Sequence, residues 1–118
     1  MDAPVDTPWN FGEPARYHVH FRPWREDGVA KRILIEGLVQ GVGYRYAFSD
    51  EAEALGLKGW VRNRANGAVE ACVHGPDAAI EHIVAWAHKG PPAARVRNVV
   101  VSDADEALPE RFEIRPTA

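Results

Sequence analysis

The sequence predicts an α+β fold, because strand-like and helix-like segments follow one another in the order β-α-β-β-α-β, with a further short strand at the end. Three observations support this order. A β-branched run ends in a glycine-rich turn, two segments carry apolar residues every three or four positions, and an Asn-Gly dipeptide joins two strand-like segments. Two helices among antiparallel strands can cover one face of the sheet and leave the other to water, which is a ferredoxin-like sandwich.

The first strand and the first helix lie on either side of the glycine-rich turn. Ile33-Leu34-Ile35 is typical of a buried strand, because β-branched residues favour extended structure. Beyond the turn, an apolar face with helical spacing covers residues 44–55, and Gly56 follows as a C-terminal stop. The spacing therefore predicts a first helix over these residues.

The middle of the chain predicts a hairpin and a second helix. Strand-like segments at residues 58–63 and 68–73 flank Asn66-Gly67, the dipeptide that most easily forms a type I′ turn. A second apolar face with spacings of three and four lies between Pro76 and Lys89. Trp60 and Trp86, which fall in these segments, are interpreted as core residues.

The last part of the chain predicts two strands that enclose an acidic loop. Residues 95–101 alternate as a strand does, and residues 112–115 form a short last strand. The loop over residues 102–110 between them is rich in acidic residues, so we expect it to be solvated. The single cysteine, Cys72, lies in an alternating apolar run and is interpreted as a small buried hydrophobe.

Composition excludes several classes of function. The chain has 118 residues with 14 Lys+Arg against 17 Asp+Glu, a net charge of −3, so no basic excess indicates a nucleic-acid partner or an anionic membrane. No apolar run is long enough to span a bilayer, and no signal-peptide core follows Met1. We expect a cytoplasmic protein with one domain core, and we expect it to be a monomer.

The first thirty residues differ from the rest. They contain four of the nine prolines and five aromatic residues without a sustained period, which predicts an irregular extension over residues 1–30 ahead of a domain over residues 31–118. Only residues 17–21 alternate as a strand does. We expect Trp9, Phe11 and Trp24 to pack on the domain, because five exposed aromatic side chains would form an unusual apolar patch.

The turn over residues 37–45, Gly-Leu-Val-Gln-Gly-Val-Gly-Tyr-Arg, is the candidate site. A glycine-rich turn that leads into a helix can point several backbone N–H groups into one concavity, and the helix dipole adds positive charge there. Such a concavity suits a phosphate group, and the guanidinium of Arg45 can bind two phosphoryl oxygens at once. The alternative is a turn whose glycines serve geometry alone, with Arg45 as a solvated side chain. The glycine spacing fits neither a Walker-type loop nor a dinucleotide-binding fingerprint.

Two segments resemble the signatures of the acylphosphatase family. Residues 37–45 are similar to its pattern Gly-x-Val-Gln-Gly-Val-x-Phe-Arg, and Gly59-Trp60-Val61-Arg62-Asn63 is similar to its pattern Gly-Trp-Val-x-Asn. The similarity extends over about residues 31–115. Tyr44 stands where the family commonly has phenylalanine.

The resemblance implies hydrolysis of the carboxyl-phosphate bond of acyl phosphates, without a metal, a cofactor or a covalent intermediate. It implies that Arg45 and the backbone of Gln40, Gly41, Val42, Gly43 and Tyr44 hold the phosphoryl group. It also implies that Asn63 orients the attacking water, although an asparagine near a hairpin is more often a turn former than a catalytic residue. The expected partners are then a small-molecule acyl phosphate and the product, inorganic phosphate.

Other functions compete with this hypothesis. A non-catalytic phosphate-binding or protein-interaction domain can share the same fold, but a pure binder needs no water-orienting amide. An RNA-recognition domain shares the element order, yet the chain lacks its stacking aromatic residues on the middle strands. The chain can also be the acyl-phosphate-processing module of a larger enzyme. His18 and His20 have no third ligand in range and make a poor zinc site, so no metal site is predicted.

Overall fold

Seven elements follow one another in the predicted order in a computed structural model, which describes residues 28–118. They are β1 (Val29–Leu38), α1 (Tyr44–Ala54), β2 (Lys58–Asn63), β3 (Val69–Gly75), α2 (Asp77–Lys89), β4 (Arg95–Asp103) and β5 (Glu113–Ile114). The predicted α+β sandwich is confirmed. Both helices end within one residue of their predicted limits, whereas β1 is longer than the apolar run that predicted it.

The predictions for the start of the chain lie outside the described residues. These are the irregular extension up to residue 27, the strand over residues 17–21, the pair His18 and His20, and the packing of Trp9, Phe11 and Trp24. Among the described residues, the first strand, β1, begins at Val29, two residues before the predicted start of the domain at Lys31.

The strands form one sheet in the order β4-β1-β3-β2-β5. The pairs β4/β1, β1/β3 and β3/β2 are antiparallel, as predicted, but β5 pairs with β2 in parallel, so the sheet as a whole is mixed. Because β1 and β2 are both antiparallel to β3, they run in the same direction. Their carboxyl ends therefore lie at the same edge of the sheet, and the segments that follow them meet there.

The main core lies between the sheet and the two helices. From β1 and β3, Ile33, Ile35 and Val73 are fully buried, and Phe48 of α1 belongs to the same cluster and has no exposed surface. Trp86, which the sequence predicts in the core, is half-buried and packs against the main core. Its ring makes edge contacts with Tyr44 and Phe48.

The other face of the sheet is not simply open to water, as the sequence led us to expect. Ala30, Trp60, Cys72 and Ala104 form a second small cluster there. Ala104 belongs to the acidic loop predicted to be solvated, and Glu106 of that loop accepts a hydrogen bond from the indole of Trp60. The loop therefore covers part of this face. Trp60 and Cys72 are buried as predicted, but on this side of the sheet.

The hairpin between β2 and β3 is present, but its turn differs from the predicted type I′. Arg64 donates its N–H to the carbonyl of Ala68, and Gly67 donates its N–H to the carbonyl of Arg64. The hairpin loop between the paired residues Arg64 and Ala68 is thus three residues long, whereas a type I′ turn has a loop of two. Asn66 supports it through its side chain, which accepts the N–H of Ala68 at 3.1 Å. Glycine is still required because Gly67 has a φ of 97°.

Candidate functional site

The loop between β1 and α1 turns through two left-handed residues. Gly41 has φ 76° and Gly43 has φ 79°, a region that other residues enter only at a cost because their Cβ crowds the backbone. A Cβ built on either glycine would meet no other atom within 4 Å. These glycines are therefore needed for the path of the backbone, and they leave the outer side of the loop open.

The amino terminus of α1 offers free backbone donors beside this loop. Gly43 is the N-cap and supplies no side-chain cap, and the first turn contains no acidic residue. The first helical hydrogen bond runs from the N–H of Ala47 to the carbonyl of Gly43. The N–H groups of Tyr44, Arg45 and Tyr46 thus precede that bond and lie at the positive end of the helix dipole. This arrangement favours an anion such as a phosphate.

Arg45 lies in this first turn and has no carboxylate partner among residues 28–118. Its half-buried side chain places the guanidinium carbon 5.7 Å from the centre of the Tyr46 ring. By contrast, Arg32, Arg62 and Arg64 all pair with Glu70. The charge of Arg45 is therefore available to an external anion, and its planar fork can bind two phosphoryl oxygens.

Asn63 ends β2 at the same edge of the sheet. It shares a strand face with Val61, which belongs to the core under the helices. Its side-chain Oδ1 is buried and has no hydrogen-bond partner in the part of the chain that the structure describes. Buried polar atoms are nearly always paired with protein or water. The amide oxygen can therefore still accept a hydrogen bond, and the water-orienting role of Asn63 stays a prediction.

Gln40 makes a connection that sequence reasoning missed, because that reasoning used only its backbone. Its side-chain Nε2 donates to the carbonyl of Arg64 and to the carbonyl of Ala68, each at 2.8 Å. These carbonyls belong to the residues that close the hairpin next to Asn63. An amide side chain inside a glycine-rich turn is the only signal in the sequence, and it does not reveal a partner more than twenty residues away.

Tyr44 anchors the start of α1 to α2. Its hydroxyl donates to the carbonyl of Ala87 at 2.6 Å, and its ring is 1% exposed. Burial raises the pKa of Tyr44 well above its usual value because the phenolate would lose its hydration. The hydroxyl therefore stays protonated and keeps this hydrogen bond. The backbone N–H of Tyr44 takes no part in this contact and precedes the first hydrogen bond of α1.

Two findings concern other kinds of site. Within residues 28–118, no three His, Cys, Asp or Glu side chains lie close enough together to hold a metal ion. No helix in this part of the chain is both long and apolar enough to cross a membrane.

Comparison with known proteins identifies relatives over nearly the whole described region. The family model for acylphosphatase matches residues 31–114. An acylphosphatase from Acidovorax sp. (strain JS42) is 46% identical over 89 residues, which are 75% of this chain and 92% of the relative. One from Azoarcus sp. (strain BH72) is 49% identical over 96 residues, which are 80% of this chain and 98% of the relative.

A solved structure agrees with these sequence matches. The structure of an acylphosphatase from Coxiella burnetii superposes with a TM-score of 0.73 and 32% identity, covering 76% of this chain and 95% of that one. The similarity therefore extends from the sequence to the three-dimensional arrangement of the strands and helices.

Proposed function

The chain belongs to the acylphosphatase family, and from this membership we propose how its residues perform the reaction of that family. The enzyme hydrolyses the carboxyl-phosphate bond of an acyl phosphate to a carboxylate and inorganic phosphate. The observation that carries the assignment of residues is the amino terminus of α1, which has no side-chain cap, at the same sheet edge as Asn63. Within residues 28–118, Arg45 has no carboxylate partner and the amide oxygen of Asn63 has no hydrogen-bond partner.

The phosphoryl group binds to the loop and to Arg45 in this proposal. The backbone of Gln40, Gly41, Val42, Gly43 and Tyr44 lines the phosphoryl oxygens, and the guanidinium of Arg45 bridges two of them. The transition state of phosphoryl transfer spreads negative charge over three equatorial oxygens. Donors fixed in advance stabilise this charge most strongly, because they need no reorganisation during the reaction.

Asn63 positions the attacking water. An amide both accepts and donates hydrogen bonds, so it can hold one water in line with the phosphorus and the leaving oxygen. An amide is not a base, so the proton passes to a phosphoryl oxygen of the substrate. The leaving group is a carboxylate, which departs without an acid catalyst. The reaction as proposed therefore needs neither a metal nor a covalent intermediate.

The proposal includes the state and partners of the enzyme. We propose a monomer in the cytoplasm that acts on small-molecule acyl phosphates and has no nucleic-acid or membrane partner, which the net charge of −3 supports. We also propose that residues 31–118 form the catalytic domain and residues 1–30 an extension. Sedimentation equilibrium with and without phosphate tests the monomer.

Hydrolysis of benzoyl phosphate tests the assignment of residues. We expect turnover by the wild type, no effect of EDTA and no hydrolysis of the ester p-nitrophenyl phosphate. Arg45→Ala is expected to lower kcat/KM by about 10²–10³-fold, as loss of a preorganised oxyanion donor does. Arg45→Lys is expected not to restore it, because the bidentate fork is lost. Asn63→Ala is expected to lower kcat with little change in the inhibition constant of phosphate.

Arg111→Ala serves as the matched control, because it removes the same charge from an exposed side chain that forms no ion pair within residues 28–118. Full activity of Arg45→Ala would refute the assignment of the phosphoryl site. Inhibition by EDTA would refute the metal-free reaction. A folded wild type that binds phosphate without turnover would instead indicate the alternative, a non-catalytic phosphate-binding domain.

A further inference from the structure

We infer that the side chain of Gln40 is a positioning residue that sets the distance between the phosphoryl-binding loop and Asn63. The inference rests on the proposed function. It concerns the side-chain amide of Gln40, whereas the phosphoryl-binding role above uses only the backbone of this residue. Gln40 thereby joins the part of the site that holds the substrate to the part that holds the water.

The geometry of Gln40 suits this role. One amide nitrogen, Nε2, lies 2.8 Å from the carbonyl oxygen of Arg64 and 2.8 Å from that of Ala68. A primary amide has two N–H groups, so both bonds can form at once. Within the described residues, these are the only hydrogen bonds that connect loop 39–43 with hairpin 64–68.

The bonded carbonyls are directly linked to Asn63. Arg64 follows Asn63 in the chain, and the N–H of Arg64 donates to the carbonyl of Ala68 at 2.8 Å to close the hairpin. The other side of this strand end is held by Ala118, whose N–H donates to the carbonyl of Asn63 at 3.1 Å. Hydrogen bonds thus fix the backbone next to Asn63 on both sides. Those on the side of the loop come from the side chain of Gln40.

The hydrogen bonds of Gln40 are not needed to close the hairpin. The carbonyl of Arg64 also accepts the N–H of Gly67 at 3.1 Å, and the carbonyl of Ala68 also accepts the N–H of Arg64. Removal of the Gln40 amide therefore leaves neither carbonyl without a donor, and it avoids the main cost of an unsatisfied buried group. The substitution removes only the two hydrogen bonds that fix the position of the hairpin relative to the loop.

The test replaces Gln40 by methionine, which has a similar length but no donor. We expect kcat for benzoyl phosphate to fall about ten- to a hundredfold, because a small displacement of a reacting group costs rate on this scale. The inhibition constant of inorganic phosphate is expected to change less than twofold, because Arg45 and the backbone donors remain. Ile80→Val, which removes one methylene from the core side of α2, is the control for a general loss of stability and is expected to keep kcat.

A double-mutant cycle with Asn63→Ala separates positioning from a merely structural role. If Gln40 acts through Asn63, Gln40→Met is expected to lower kcat less than twofold once the amide of Asn63 is gone. Equal losses in both backgrounds would overturn the inference. So would a rise in the phosphate inhibition constant that accounts for the whole loss, because the side chain would then act on the phosphoryl-binding loop itself.

A second variant, Gln40→Glu, keeps the shape of the side chain and covers the case in which Gln40→Met fails to fold. Its carboxylate presents only acceptors to the two carbonyls, while its protonated form regains one donor. At saturating substrate, we expect the ratio of the kcat of Gln40→Glu to the kcat of the wild type to rise as pH falls from 7 to 5. A pH profile of kcat parallel to that of the wild type would contradict the inference.

The same data distinguish this inference from the proposed function. If Arg45→Ala and Asn63→Ala lose activity while Gln40→Met keeps it, only the role of Gln40 fails. If the wild type has no activity toward benzoyl phosphate, or Arg45→Ala keeps full activity, the proposed function fails first.

Discussion

At the scale of single residues, Glu70 is a buried carboxylate surrounded by arginines. Its side chain is 3% exposed and accepts hydrogen bonds from Arg32, Arg62 and Arg64. Burying a charge is costly unless it is paired and hydrogen-bonded, and three guanidinium donors provide that pairing. Arg62 and Arg64 flank Asn63 in sequence, so the same carboxylate also fixes the backbone on either side of the proposed water-orienting residue.

We predict that Glu70→Gln lowers the free energy of unfolding by about 2 kcal/mol, because charge-assisted hydrogen bonds are lost and the new amide N–H groups face guanidinium donors. The decrease in the free energy of unfolding is expected to be smaller than for a fully buried ion pair. The arginine side chains are partly exposed, so water can solvate their guanidinium groups when the carboxylate is removed. Urea unfolding at pH 7 measures it.

Glu51→Gln is the control for this prediction. Among residues 28–118, Glu51 pairs only with the exposed side chain of His82, and we expect a change of less than about 0.5 kcal/mol in the free energy of unfolding. If Glu70→Gln and Glu51→Gln lower the free energy of unfolding equally, the burial of Glu70 does not strengthen its ion pairs.

Cys72 gives a prediction about pH. Burial, and secondarily the carboxylate of Glu106, raises the pKa of Cys72 to about 11 from a usual value of 9.0. The folded state therefore favours the neutral thiol. Its contribution to stability is complete below pH 9 and is lost as pH rises toward 11. The stability difference between the wild type and Cys72→Ala is expected to shrink over this range. A difference that is constant from pH 8 to pH 11 would contradict the prediction.

At the scale of elements, Gly59 shows that the second signature includes a structural requirement. It lies in β2 opposite Val73 of β3 with φ 136°. A Cβ built on it would lie 1.9 Å from the carbonyl oxygen of Cys72, so the two strands can approach this closely only at a glycine. The position of Asn63 four residues later depends on this pairing.

We predict that Gly59→Ala lowers the free energy of unfolding by about 3 kcal/mol or more, since the clash is with backbone and cannot be relieved by a side-chain rotation. Thermal unfolding followed by circular dichroism measures the loss. Gly41→Ala is a matched control for stability, because a Cβ at this position would meet no atom within 4 Å. Its only penalty is the left-handed backbone conformation, which lowers the free energy of unfolding by about 1–2 kcal/mol. A loss at Gly59 no larger than at Gly41 would refute the steric argument.

The sequence predicted the elements whose signals are local. The apolar spacing in α1 and α2 and the position of the hairpin at Asn66-Gly67 depend on neighbouring residues, and these predictions are confirmed. The parallel pairing of β5 and the loop over Trp60 were not predicted, because they depend on contacts about fifty residues apart in the chain. The hydrogen bonds of Gln40 have the same long-range origin. The site residues themselves came from the two family signatures, and their roles stay predictions.

At the scale of the whole molecule, residues 28–118 contain a five-stranded sheet, two helices and each residue of the proposed site. The main core found within these residues lies between the sheet and the two helices. Within residues 28–118, the edge that carries Gln40, Arg45 and Asn63 is built by β1, α1 and β2, and hairpin 64–68 and Ala118 adjoin Asn63 there. We therefore expect this part of the chain to supply both the fold and the groups that the proposed reaction uses.

We predict that a variant lacking residues 1–27 folds cooperatively and keeps its kcat/KM for benzoyl phosphate within about twofold, because each group that contacts the transition state in the proposal remains. Loss of kcat in a folded variant would show that the extension contributes to the site. Thermal unfolding of the same variant tests whether Trp9, Phe11 and Trp24 pack on the domain. Packing predicts a lower Tm than in the full chain, since buried aromatic surface contributes to stability. An equal Tm, together with rapid removal of the segment by limited proteolysis, would refute the packing and leave the catalytic assignment intact.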